Sequence, residues 1–155
     1  MTVLDVGCAM GFFTLPAARL VGPGGRVIAV DLQEKMIRSL RRRIKSAGLL
    51  DRVDPRVCTK NDLGIDDLSG AVDFVMAMHV VHEVPDSSRL MSQLFQATRP
   101  SGQLLVVEPK RHVSEAGFAS TVAAAEQAGF VIGRRLSLKR GHSILFVRTG
   151  GTGSG

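Results

Sequence analysis

Two groups of residues in this chain have the types and spacing for chemistry. The first is Gly7-Cys8-Ala9-Met10-Gly11, which follows the apolar run Val3 to Val6 and precedes a helix-forming stretch. A strand that enters a glycine-bearing turn and leaves it as a helix presents backbone N–H groups at the helix start, and these suit a phosphate or carboxylate. Asp31 stands 20 residues beyond Gly11, at the end of the next apolar run, where a carboxylate accepts hydrogen bonds from ribose hydroxyls. The plainer account is a tight turn with a surface acid. The dinucleotide fingerprint G-x-G-x-x-G is not met, because Ala9 and Phe12 stand where its second and third glycines belong. The second group follows the run Ala71 to Met78. His79 and His82, three apart at a strand-to-loop junction with Glu83 beside them, are candidates for proton transfer, against the plainer reading of packing or loop-capping histidines. Glu108, Lys110 and His112 follow a further apolar run, where they face an acceptor or are simply solvated.

The elements that must position these residues alternate between apolar runs and helical patterns, with short Gly/Pro punctuation, as in βα units that build a mostly parallel sheet. Strands are predicted at Val3–Val6, Arg26–Val30 ending at Asp31, Val53–Cys58, Ala71–Met78 and Gln103–Glu108. Helices are predicted at Phe12–Leu20, Gln33–Ala47, Ser87–Thr98 with Asp86 or Ser87 as N-cap, and Ser114–Ala128 stopped by Gly129. Pro16 fits only near a first turn. Met36, Ile37, Leu40, Ile44 and Ala47 form the apolar stripe of the second helix. Phe130–Leu138 and Ser143–Arg148, joined by Lys139-Arg140-Gly141-His142, read as an antiparallel hairpin.

In this order the segments Val3-Leu4-Asp5-Val6-Gly7-Cys8-Ala9-Met10-Gly11, Val27-Ile28-Ala29-Val30-Asp31, Val72-Asp73-Phe74-Val75-Met76 with His82-Glu83-Val84-Pro85-Asp86, and Arg99 to Pro109 resemble the class I S-adenosylmethionine-dependent methyltransferase family. The resemblance implies a Rossmann-like, doubly wound α/β fold with a mostly parallel seven-stranded sheet and an antiparallel C-terminal hairpin. It implies S-adenosylmethionine as cofactor and S-adenosylhomocysteine as product. Asp5 and the backbone of Gly7, Cys8, Ala9 and Gly11 would hold the methionine moiety; Asp31 would bind the ribose, with Leu32 and Met36 beside the adenosine. Asn61, Asp62 and Leu63 would meet the adenine, and Met78 and His79 the sulfonium end. His82 or His79 would act as base where the acceptor carries a proton. The family often has glycine where this chain has Ala9, so a loop of slightly different shape is expected. The helices that usually precede the family's first strand are missing here. A natural minimal form, a truncated form or a subunit whose site a partner closes would each account for that, and a homodimer, testable by sedimentation, is expected.

Composition narrows the readings. At 155 residues, 45% hydrophobic and 22% charged, the chain reads as one globular domain over 1–149, with 150–155 a flexible linker or tag remnant. No apolar run reaches the roughly 18 residues of a membrane span, and no signal-peptide pattern is present, so a cytoplasmic location is expected. Cys8 and Cys58 lack metal-ligand spacing, and no metal site or disulfide is expected. The net charge of +6 suits an anionic partner, RNA or an acidic small molecule, although Trp and Tyr are absent and base stacking has little to work with. Lys35, Arg38, Arg41, Arg42, Arg43 and Lys45 lie mostly opposite the apolar stripe, as on a solvated helix face. A small-molecule acceptor is therefore the leading expectation. An Asn/Asp-Pro-Pro-aromatic motif, which would point to base amines, does not follow the fourth strand. The alternatives are an RNA or protein methyltransferase using the basic surface, and a cofactor-binding protein without catalysis.

Overall fold

The computed structural model describes residues 1–150. The linker expected at 150–155 therefore lies, from 151 onward, outside the described residues. The strands are β1 (Thr2–Val6), β2 (Arg26–Asp31), β3 (Val53–Val57), β4 (Val72–Met78), β5 (Thr98–Pro109), β6 (Val131–Leu138) and β7 (Gly141–Val147). The helices are α1 (Thr14–Leu20), α2 (Glu34–Ser46), α3 (Ser87–Ala97) and α4 (Glu115–Ala128). They build one seven-stranded sheet in the order β3-β2-β1-β4-β5-β7-β6. Strands β1 to β5 run parallel, and β7 is antiparallel to both its neighbours. This is the expected doubly wound arrangement, with chain direction reversed only at β7.

The apolar runs become the inner strands because a parallel sheet is covered on both faces. Four consecutive residues of β1 and five of β2 are buried. One core cluster joins Leu4, Ile28, Val75 and Leu104 to α3 and α4; the other joins Val3, Val27 and Ala29 to Ile37, Leu40 and Ile44 of α2. Ala47, counted in that stripe from sequence, is the exposed C-cap of α2 instead. Asp86 caps α3 by accepting from the Arg89 amide, and Ser114 caps α4 by accepting from the Gly117 amide. No helix among the described residues is long and apolar enough to cross a membrane.

Three boundaries differ from the sequence reading by more than one residue. Helix α1 begins at Thr14 rather than Phe12, which leaves Phe12 and Phe13 in an irregular turn and Pro16 third in the helix, where its missing N–H is harmless. Strand β5 starts at Thr98 rather than Gln103. The expected Pro100-Ser101-Gly102 turn survives as an excursion within the strand: Val72 pairs with Thr98 and Phe74 with Gln103, and Ser101 sits at φ +65°. The excursion stays in the sheet because Ser101 N–H donates to the Arg148 carbonyl and Arg148 N–H to the Gly102 carbonyl. The hairpin loop shrinks to Lys139-Arg140, with Leu138 opposite Gly141.

Arg148 also closes α3. Its Nη1 donates to the carbonyls of Phe95 (2.6 Å) and Thr98 (2.5 Å), and the guanidinium carbon lies 4.3 Å from the Phe95 ring centroid. A cation there meets carbonyls that a helix C-terminus leaves unpaired. Arg148→Ala is expected to destabilise the fold by about 2 kcal/mol, the scale of a charge-assisted hydrogen bond, read as a lowered urea midpoint.

Candidate active site

The carboxyl ends of β1, β2 and β4 open on a cleft of about 500 Å³, the edge at which ligands bind in sheets of this kind. Three connections form its walls. The turn after β1 contributes Gly7, Cys8, Ala9, Phe12 and Phe13. The end of β2 and start of α2 contribute Asp31, Leu32 and Met36, and the segment after β3 contributes Asn61, Asp62 and Leu63. Met78, His79, Val80 and Glu83, at and beyond the end of β4, close the remaining side.

The glycine turn is shaped differently from the anion cradle its pattern suggested. The amides of Gly7 and Cys8 both donate to the Val30 carbonyl, at 2.9 and 3.0 Å. The Ala9 amide donates to Asp31 Oδ2 at 2.9 Å, and the Gly11 amide to the Cys8 carbonyl at 3.0 Å. These four donors are spent inside the protein, so Gly7, Cys8, Ala9 and Gly11 supply shape and close approach rather than free N–H groups. A Cβ at Gly7 would stand 2.6 Å from Val80 Cγ2, and Gly7 adopts φ +70°. Ala9 takes φ +49° despite its Cβ, held by its bond to Asp31. Ala9 thus accepts the strain at which glycine is easier.

Asp31 is the hub. Its Oδ2 accepts from Ala9 and its Oδ1 from the Gln33 amide at 2.8 Å, so each oxygen holds one backbone donor and keeps capacity for another. Asp5 and Gly11 do not line the cleft. Asp5 is 2% exposed beneath the turn and accepts a 2.7 Å hydrogen bond from Thr14 Oγ1; burial, with the Asp31 charge adding, pushes its carboxyl up to about 6. Burial, followed by the Asp5 and Asp31 charges, also pushes the Cys8 thiol up, and burial followed by Asp31 does the same to Cys58. Both thiols stay protonated and unreactive near neutral pH.

The Asn61-Asp62-Leu63 wall is fixed from two sides. Thr59 and Asp62 close a local turn, and Gln93 of α3 donates to Asp62 Oδ1 while accepting from the Leu63 amide. Gln93, Phe12, Phe13 and Val80 all line the cleft and were not singled out in the sequence. Their signals are weak there, because Gln93 acts across 30 residues and the two phenylalanines were assigned to a helix.

His79 lines the cleft at φ +59°, its amide bonded to the Val107 carbonyl at 2.7 Å. His82 stands one step outside the cleft lining. Its Nδ1 is hydrogen-bonded to Glu108 Oε2, and its Nε2 lies 3.8 Å from the Oε1 of cleft-lining Glu83. Glu108, read from sequence as facing an acceptor or solvated, is neither: it is 0% exposed, and its Oε1 accepts from the Val81 amide at 2.9 Å. Lys110 and His112 remain at the surface, with Lys110 donating to the Leu138 carbonyl and the His112 ring parallel to His82, centroids 6.2 Å apart. The basic residues of α2 are exposed as expected, and several are engaged within the chain: Arg38 with Glu34, Arg41 with the Pro55 carbonyl, Arg43 with the Met10 carbonyl.

The family model described as a methyltransferase domain matches residues 1–135. Among curated proteins, the chain is 31% identical over 106 residues to a ubiquinone/menaquinone biosynthesis C-methyltransferase of Pasteurella multocida, a match over 68% of this chain and 39% of that protein. It is 32% identical over 124 residues to a ubiquinone biosynthesis O-methyltransferase of Xanthomonas axonopodis pv. citri, covering 80% of this chain and 48% of the relative. These matches span less than half the length of either relative. Among solved structures, a SAM-dependent methyltransferase from Aquifex aeolicus has the same fold, with a TM-score of 0.84 at 24% identity over 96% of this chain and 82% of that one.

Proposed function

This chain belongs to the class I S-adenosylmethionine-dependent methyltransferase family, and on that premise we propose that it binds the cofactor in the cleft beside Asp31 and passes its methyl group to a small molecule. The observation that carries the reading is the convergence of the Gly7–Gly11 turn, the Asp31 carboxylate and the Asn61–Leu63 segment on one cleft. The donor set fits the cofactor. Each Asp31 oxygen retains capacity to accept from a ribose hydroxyl, and the absent Cβ of Gly7 leaves the turn tight against Val80. Leu32, Met36 and Leu63 offer apolar surface for an adenine, with Asn61 and Asp62 at its polar edge. Met78 and His79 stand at the methyl-transfer end, and Asp5 with Gly11 supports the turn from behind. When bound, the cofactor supplies an electrophilic methyl group on a sulfonium. The chain's own residues then hold the reactants in line and exclude water, which supplies much of the acceleration for a displacement of this kind. The two quinone-biosynthesis relatives favour a small-molecule acceptor.

Calorimetry with S-adenosylmethionine and S-adenosylhomocysteine tests the reading. Both should bind, and Asp31→Ala should weaken them by about 100-fold, as expected for two lost charge-assisted hydrogen bonds. Asp31→Asn, which preserves volume, should fall in between. No heat from the intact chain, or unchanged affinity in Asp31→Ala, defeats it.

A further inference from the structure

Glu108 is a carboxylate placed at full burial, a position that is costly unless its lone pairs are met. It is the last of three alternate residues, with Leu104 and Val106, on the face of β5 that packs into the core, so its side chain rises from the sheet rather than from a flexible loop. One oxygen accepts from the Val81 amide at 2.9 Å and the other is bonded to His82 Nδ1. Clamping the turn after β4 needs only the Val81 bond. The second bond does something else: a Glu108 that accepts on both oxygens draws the imidazole proton to Nδ1. A neutral His82 then has its free lone pair on Nε2. That atom points outward from a side chain 24% exposed, toward Glu83 at the cleft.

Building on the methyltransferase reading, we propose that Glu108 is a positioning residue that fixes the tautomer of His82, and that His82 Nε2 takes the proton from an acceptor hydroxyl. A hydroxyl acceptor needs this arrangement most. A neutral amine attacks through a lone pair it already has, and a ring carbon sheds its proton only after the new bond exists. A phenol-type hydroxyl, with an ordinary pKa of about 10, must lose its proton as its oxygen bonds carbon. The step balances: the oxygen–carbon bond forms while the carbon–sulfur bond breaks, the latter's electron pair stays on sulfur as a neutral thioether, and the hydroxyl proton moves to Nε2 and on to water. The charged or titratable groups around the imidazole are Glu108 from β5, Glu83 on its own turn and His112 from the segment after β5.

Glu108→Gln is the informative variant because it keeps the volume and inverts the tautomer. The amide oxygen would take the Val81 N–H, which turns the amide NH₂ toward Nδ1 and drives the imidazole proton to Nε2. Long-range ¹H–¹⁵N spectra should show His82 protonated on Nδ1 in the parent and on Nε2 in Glu108→Gln. With catechol as the hydroxyl probe, kcat should fall about 100-fold or more in both Glu108→Gln and His82→Gln, the scale of a general base, while cofactor affinity by calorimetry stays within twofold. The inference is overturned by an Nε2–H tautomer in the parent, by the same tautomer in both proteins, or by His82→Gln that still methylates catechol at the parental rate. A chain that binds S-adenosylmethionine but transfers nothing to catechol removes the hydroxyl assignment. A chain that does not bind the cofactor overturns the reading beneath it instead.

Discussion

Gly7→Ala is expected to lower stability by about 2–5 kcal/mol and to weaken S-adenosylmethionine binding at least tenfold. Two costs combine. Gly7 sits at φ +70°, and placing an L side chain in that region costs roughly 1–2 kcal/mol. Its new Cβ would also lie 2.6 Å from Val80 Cγ2 and 2.9 Å from Val80 Cβ, inside van der Waals contact, and relieving such overpacking costs a further ~1–3 kcal/mol. Val80 is a stiff, β-branched side chain between His79 and Val81, so the displacement reaches both walls of the cleft at once. Gly22→Ala supplies the control. It has φ +72° but nothing within 4 Å of its new Cβ, so it should show the backbone cost alone. Urea unfolding and cofactor calorimetry on both variants check the argument, and it fails if Gly7→Ala is no worse than Gly22→Ala.

The parts of this protein legible in its sequence are those governed by near neighbours. The runs of β1 and β2 announce strands buried on both faces, and the stripe Ile37, Leu40, Ile44 announces the inner face of α2. Asp31 and the glycine turn were legible because a strand end and a turn are local events. What the sequence hid depends on partners far along the chain. Strand β5 extends back to Thr98 because Val72 and Arg148 pair with its first residues, and neither is within 25 residues of it. The amides of the glycine turn were expected to face a ligand, but the Val30 carbonyl and Asp31 claim them. Glu108 is the instructive case, since its burial was readable from parity. It shares a strand face with Leu104 and Val106, so an acid at that position enters the core. Its histidine partner lies 26 residues away and was visible only in three dimensions.

The acid beneath the turn leads to the second large effect, which concerns pH. In the folded chain Asp5 holds its proton until about pH 6, because burial disfavours the carboxylate and the nearby Asp31 charge adds to that, against the opposing hydrogen bond from Thr14. In the unfolded chain it releases the proton near its ordinary value of 3.8. Between about pH 4 and pH 6 the folded state therefore binds more protons than the unfolded one. The stability this group contributes is fully present below that window and is lost as pH rises through it. A rise of this size corresponds to a loss on the order of 3 kcal/mol once Asp5 is ionised in both states. Asp5→Asn removes the titration. Urea unfolding at pH 4 and pH 8 should show the variant gaining on the parent by about 2–3 kcal/mol between the two conditions, whatever constant offset the buried amide introduces. Parallel pH profiles for the two proteins would refute the account.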